Sequence, residues 1–150
     1  MMHPYSRHAW AAALLFVISL AIDRVTKWWA LAHCTDEYVV NKYLSCELMF
    51  NRGISWSLFD SQTTWVFLLV SAVIAAVIFA FLHMTYQQYQ QQKSLIGSAL
   101  VLAGALGNFI DRILYGGVVD FISVGSWPVF NGADALICVG LAILLYSYKE

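Results

Sequence analysis

Charge is what this chain has least of. Eight Lys or Arg and nine Asp or Glu occur in 150 residues, 11% of the sequence, and the formal net charge is −1. Soluble domains carry about 25% charged residues. With 61% of its residues hydrophobic, a chain this small has too little polar surface to cover its apolar side chains. A water-soluble fold is thereby excluded, and lipid is the expected solvent for most of the chain. The near-neutral balance leaves no basic surface for nucleic acid. Cysteine is scarce: Cys34, Cys46 and Cys138 show no paired metal-ligand spacing. Cys138 lies in an apolar run and reads as a small core residue. Cys34 and Cys46 share one polar segment, but sequence without geometry does not argue for a disulfide between them. There is no HExxH, and His3, His8, His33 and His83 are scattered. Neither a metal, a cofactor nor Ser–His chemistry is expected.

What is present is long apolar runs. A bilayer-spanning helix needs roughly 20 mostly apolar residues. Four segments approach this: about Ala9 to Trp29, Trp65 to about Met84, about Leu95 to Ile113, and a shorter one from about Ala133 to Tyr148. The fold class expected is an all-α membrane protein of four transmembrane helices with a small extracytoplasmic β-sheet, a single domain over 1–150. The sheet comes from the connections. Leu31 to Gln62 holds strand-like patches, with Ile54 to Leu58 alternating at period two after the turn signal Asn51-Arg52-Gly53. Leu114 to Phe130 holds Gly116-Gly117 and then the strand-like Val118 to Ile122, whereas Thr85 to Lys93 reads as a short polar linker. No internal repeat is visible. His3, Arg7 and His8 before an apolar run look like the start of a signal peptide. Asp23, Arg24 and Lys27 interrupt that run, however, and His33 stands where a cleavage box before Cys34 needs a small residue. The first run is therefore read as a retained span.

With four spans, both termini share a side with the Gln-rich linker. That side carries Arg7, Lys93 and Lys149; the other carries Lys42 and Arg52 beside Asp36, Glu37, Glu47 and Asp60. Basic residues in short loops favour the cytoplasm, so cytoplasmic termini are expected. Parity then places the membrane-proximal charges at one level. Asp23 and Lys27 end the first span, Asn108, Asp111 and Arg112 end the third, Asp120 lies in the following loop, and Asp134 begins the fourth. Ionisable groups in spans cost roughly 2.5–3.5 kcal/mol each and default to a functional reading. Two carboxylates sharing a site cannot both ionise easily, so one holds a proton and the pair can act as acid and base on water.

Plainer readings stand beside this one. Asp23 and Lys27, four apart, also read as a helix-end ion pair. Asp111 and Arg112 also read as a tie between helices, and Asn131 with Asp134 as a helix cap. Asp120 has no cation within four residues and is harder to explain structurally. The tryptophans read as interface anchors, and Gly104 and Gly107 as sites of close helix packing. A proton-coupled transporter would need charges along a path to both faces. A membrane scaffold would leave Asp120 unexplained.

The motifs themselves resemble those of the lipoprotein signal peptidases, or signal peptidase II. Asp23-Arg24-Val25-Thr26-Lys27 is similar to the family's D-x-x-[TS]-K, and Asn51-Arg52-Gly53 to its N-x-G. Gly104 to Arg112 resembles G-x-x-G-N-x-x-D-R, Val118 to Phe121 resembles V-x-D-F, and Phe130 to Asp134 resembles F-N-x-A-D. The resemblance covers nearly the whole chain. It implies an aspartyl endopeptidase of the bacterial inner membrane, multi-pass and monomeric, with its active site at the outer face. The substrates implied are diacylglyceryl-modified prolipoproteins embedded in membrane lipid, cut before the modified cysteine. The dyad implied is Asp120 and Asp134, with Asp111 supporting; Asn51, Gly53, Asn108, Arg112 and Asn131 would line or brace the site, and Asp23 and Lys27 would hold the first helix to the others. Asp134, nearer a helix start, is the expected base. One departure is the bulky Trp56 within Ile54 to Phe59, which puts the shape of the outer flap in doubt. The chain is short for the family, so compact outer loops are expected.

Overall fold

The structure, a computed structural model, describes residues 4–52 and 64–147. In chain order the elements are α1 (Pro4–His33), β1 (Tyr38–Val39), β2 (Leu44–Asn51), α2 (Thr64–Gln90), α3 (Ile96–Tyr115), β3 (Val118–Val124), β4 (Trp127–Phe130) and α4 (Gly132–Ser147). The expected strand at Ile54 to Leu58, together with Gly53 and Trp56, lies outside the described residues.

Three of the helices, α1, α2 and α3, are long and apolar enough to cross a membrane. α4, at 16 residues, is shorter. Their surfaces fit lipid rather than water. Leu14, Val17, Ile18, Leu69, Val73, Phe79 and Leu145 point outward, a density of exposed apolar side chains that water would not tolerate. Trp10, Trp28, Trp29, Trp65 and Trp127 are also exposed, as residues that anchor a chain at headgroup level are.

The Gln-rich segment corrects a sequence expectation. It is not a linker: α2 continues through it to Gln90. Gln is a good helix former, and no Gly or Pro interrupts the run. One turn apart along the helix, Gln90 Nε2 donates to Tyr86 Oη (2.8 Å). Past that end Gln92 takes a left-handed φ of 55°, and Lys93 N–H donates to Gln88 O (2.9 Å), closing the turn as helix C-termini commonly do.

α3 is the central helix. It packs against α1, α2 and α4 and is buried over most of its length, from Gly97 to Arg112. Small residues let α4 come close. A Cβ at Gly97 would stand 2.9 Å from Gly140 O, and one at Gly140 would stand 2.7 Å from Gly97 O. Without a hydrophobic drive between helices in lipid, such backbone proximity is what holds them.

The four strands form one antiparallel sheet in the order β1-β2-β3-β4. β3 covers the expected Val118 to Ile122. β2 falls inside the Leu31 to Gln62 segment read as holding strand-like patches. In register, Met49 opposes Asp120 and Asn51 opposes Val118. Cys34 and Cys46 form a disulfide, with Cα atoms 5.5 Å apart. What sequence could not supply, folding does: β2 returns alongside the end of α1, where Leu48 N–H donates to Cys34 O (3.1 Å). The two sulfurs pack with Ala30 and Phe121 in a buried cluster. The bridge therefore staples α1 to the sheet that carries Asp120.

Candidate active site

Turn chemistry delivers the two aspartates to one place. α3 ends at Gly116, whose φ of 70° suits a residue without Cβ and whose N–H closes on Arg112 O (3.1 Å). The chain then reverses into β3, and Asp120 sits three residues into that strand, 3% exposed. β4 returns to Asn131, which caps α4. Asn131 Oδ1 accepts from Asp134 N–H (3.0 Å), and Asp134 Oδ2 accepts from Asn131 N–H (3.2 Å). This reciprocal pair is a capping box, so the plainer reading of Asn131 and Asp134 is correct as far as it goes.

The cap leaves hydrogen-bonding capacity over, and that capacity faces the other aspartate. Asn131, fully buried, also donates through Nδ2 to Asp120 Oδ1 (2.6 Å) and to Asn108 Oδ1 (3.2 Å). Asn108 Nδ2 donates to Asp134 Oδ1 (2.8 Å). Asn51 Nδ2 donates to Asp120 Oδ2 (3.0 Å). Asn131 thus touches both carboxyl groups, and each carboxyl is held by a further amide. Arg112 donates through Nη1 to Asn108 O (3.2 Å).

The Asp120 carboxyl is pushed up to about 6, first by burial and next by the nearby Asp134 charge, against the amides of Asn51 and Asn131. Its ordinary value is 3.8. A raised carboxyl keeps in the folded chain a proton that the unfolded chain releases. Its contribution to stability therefore declines as pH rises from about 3.8 to about 6 and is level above that. Infrared difference spectra of the folded chain should show a protonated-carboxyl band that disappears with a midpoint near 6 and is missing in Asp120→Asn. A midpoint near 3.8 would contradict this burial.

Both aspartates line a cavity of about 500 Å³ with Asn51, Asn108 and Arg112 at its polar end. Its apolar remainder runs between α2, α3 and α4 past Ile74, Val77, Phe81, Val101, Ile137 and Leu141. The arrangement can hold an extended polar group against two carboxyls while an apolar body occupies the rest. Among the described residues, no group of three His, Cys, Asp or Glu is gathered to hold a metal ion.

Behind this site lies a second polar layer. Lys27 Nζ meets Asp111 Oδ2 (2.6 Å), Asn108 Oδ1 (2.7 Å) and Asp23 Oδ1 (3.2 Å). Arg24 joins Asp23 Oδ2 (2.6 Å), Asp111 Oδ1 (2.7 Å) and Gly107 O (2.9 Å). Asp111, with no exposed surface, also accepts from Val119 N–H (3.1 Å). Lys27 and Arg24 thus tie α1 to α3, whereas Asp23 meets these two cations within α1. Arg24 was passed over in sequence because it neighbours Asp23 instead of standing three or four residues away, and it occupies a variable place in the motif. The signal was there: a third ionisable group within five residues of a span costs energy that only partners offset. Of the residues singled out from sequence, Asn51, Asn108, Asp111, Arg112, Asp120, Asn131, Asp134, Asp23 and Lys27 fall in these two layers; Gly53 lies outside the described residues.

A family model described as signal peptidase (SPase) II matches residues 15–149. The lipoprotein signal peptidase of Blochmanniella pennsylvanica (strain BPEN) is 36% identical over 141 residues, covering 89% of this chain and 86% of the relative. That of Lactococcus lactis subsp. lactis (strain IL1403) is 35% identical over 139 residues, covering 89% and 90%. Among solved structures, a bacterial membrane enzyme determined by the in meso method at 2.3 Å resolution superposes with a TM-score of 0.73 at 26% identity, over 93% of this chain and 87% of that one. A second such structure, at 1.9 Å resolution, gives 0.71 at 26% identity, over 92% of each chain.

Proposed function

The chain belongs to the signal peptidase II family, and from that premise we propose that it is a single-domain aspartyl endopeptidase that removes signal peptides from diacylglyceryl-modified prolipoproteins before the modified cysteine. The observation that carries this reading is Asn131, one buried residue that donates to the Asp120 carboxyl through its side chain and to the Asp134 carboxyl through its backbone N–H, at the polar end of an apolar cavity.

In the reaction, the scissile peptide enters the polar end of the cavity and the signal helix follows the apolar part between α2, α3 and α4. Asp134, ionised, removes a proton from water. It sits in the first turn of α4 and accepts from Asn108 and from the Asn131 backbone, all of which favour a carboxylate. Asp120, whose carboxyl holds its proton to about 6, donates a hydrogen bond to the scissile carbonyl and stabilises the charge that develops on its oxygen. Attack gives a tetrahedral intermediate. Asp134 then passes its proton to the leaving nitrogen, and the C–N bond breaks. Arg112 lines the same cavity and places a positive charge beside the two acids.

α4, though short, completes a fourth span in this reading, and both termini are cytoplasmic. The dyad then faces out of the cytoplasm across a bacterial inner membrane. The Cys34–Cys46 disulfide supports that side, since such bonds persist in the periplasm and not in the cytosol. In denaturant without reductant, alkylation of the purified chain should label Cys138 alone; all three cysteines should label after reduction or when the chain is made in cells lacking periplasmic disulfide oxidation. Labelling of all three in the untreated wild type would place this end of the molecule in a reducing compartment.

The function itself is tested with the purified full chain in proteoliposomes and a diacylglyceryl-cysteine prolipoprotein peptide, read by mass spectrometry. Cleavage immediately before the modified cysteine is expected. No cleavage there, or equal cleavage of the unmodified peptide, would sink the reading.

A further inference from the structure

We infer that Lys27 is a positioning residue for both aspartates, one cation with an arm to each, and more than an anchor for α1. The inference rests on the function proposed above. Lys27 is 2% exposed and comes from a helix that supplies neither aspartate. Its first arm runs through Asn108. The ammonium, 2.7 Å from Asn108 Oδ1, can only donate. That fixes the amide with its oxygen toward α1 and its NH₂ toward Asp134 Oδ1 at 2.8 Å. A flipped amide would set oxygen against carboxylate and leave a buried ammonium facing NH₂.

The second arm runs through Asp111. Lys27 Nζ lies 2.6 Å from Asp111 Oδ2, and that same oxygen accepts the N–H of Val119 (3.1 Å), the residue before Asp120. This hydrogen bond sets the start of β3, on which Asp120 is carried. Arg24 grips the other oxygen, Oδ1, and Asp23. The two cations therefore divide the work. Arg24 clamps the helices, whereas Lys27 sits on the two atoms whose other partners lead to the dyad. Groups held within a fraction of an ångström of productive geometry by a rigid neighbour are what such catalysis requires.

The test is steady-state cleavage of the diacylglyceryl peptide by the full chain, per folded molecule counted by size-exclusion chromatography. Lys27→Met should lower kcat by about 10–100-fold with KM within about threefold of wild type. Lys27→Met should cost less in the Asn108→Ala background than in the wild type, since the arm through Asn108 is already gone and only the arm through Asp111 remains to be lost. Arg24→Gln should reduce thermal stability while kcat stays within about threefold. If Lys27→Met does not accumulate as folded protein, Lys27→Gln, which keeps a donor on a side chain one bond shorter but loses the charge, carries the same comparison. Wild-type kcat in the folded Lys27 variant, full additivity with Asn108→Ala, or an equal kcat loss in Arg24→Gln would each overturn the inference and leave the peptidase reading standing. A wild-type chain that does not cleave the peptide removes both.

Discussion

Asp120→Asn and Asp134→Asn should each lower turnover of the diacylglyceryl peptide by about 10²–10⁴-fold, the range in which a positioned acid or base contributes. The double variant should be no slower than the slower single, because the two groups act as a unit. The size of the effect follows from the geometry. Each carboxyl is buried or half-buried and already held by amide donors, so no neighbouring side chain is free to swing into its role. Asn51 and Asn131 donate to Asp120; Asn108 and the Asn131 backbone donate to Asp134. An asparagine keeps the volume and one acceptor but can neither ionise nor release a proton. Folding should survive. At position 120 the substitution relieves a buried ionisation but sets an NH₂ against the donor of Asn51 or Asn131, so stability at neutral pH should stay within about 1–3 kcal/mol of wild type. Substrate binding, spread along the apolar cavity, should persist. Either single variant within about fivefold of wild-type turnover would show that the reaction does not need an acid–base pair here.

That expectation separates what the polar layers cost from what they do. Asp23, Asp111, Asp120, Asn108, Lys27 and Asn131 are all buried, in a molecule whose outer surface is largely apolar. A buried ion pair is weak evidence for stability, since removing charges from water costs several kcal/mol per ion. The rear layer is nonetheless well matched, with Lys27 and Arg24 set against Asp23 and Asp111. The front layer is matched less fully: Asp120 and Asp134 are held chiefly by neutral amides, with Arg112 as a cation beside them. Two acids held that way are the part that a scaffold reading leaves unaccounted for.

How much of this was legible follows the range of each interaction. Apolar runs long enough to span lipid mark themselves, and α1, α2 and α3 appeared where expected, with ends displaced by a few residues. α2 overran its expected end because hydropathy stops at Met84 while helix propensity does not stop until Gln90. The gathering of Asp23, Lys27, Asn108, Asp111 and Asp134 at one end could be argued from helix parity alone. Partnerships across the sequence could not. Nothing local says that Asn131 reaches Asp120 as well as Asp134, that Arg24 crosses to Asp111 (87 residues away), or that Cys34 meets Cys46. Each depends on β2 and β3 folding back onto the ends of α1 and α3. β2 itself was legible only as part of a strand-like segment, because it reads as a mixed apolar run until β3 is laid beside it.

The crossing of α3 and α4 at Gly104 yields the second large effect, at a residue with no polar atom in its side chain. A Cβ on Gly104 would collide with Ala133 O and stand 2.9 Å from Ile137 Cγ1. The first is backbone and cannot rotate away. Gly104→Ala therefore forces α4 to shift at its first turn, between Asn131 and Asp134. Two effects oppose each other. Alanine gains up to about 1 kcal/mol of helix propensity over glycine, whereas overpacking a fitted interface costs about 1–3 kcal/mol. The backbone clash decides the sign, and thermal unfolding in detergent should occur at lower temperature. Activity should fall further than stability, because Asp134 moves with its helix away from Asn108 Nδ2, and a misplacement of about 1 Å can cost about 10²-fold in rate. Gly132→Ala supplies the comparison: a Cβ there meets nothing within 4 Å, so the same added methyl should leave unfolding temperature and turnover close to wild type. Gly104→Ala unfolding and turning over like wild type would mean that α3 and α4 are not held at backbone contact, and that the spacing of the two aspartates is set by something other than this crossing.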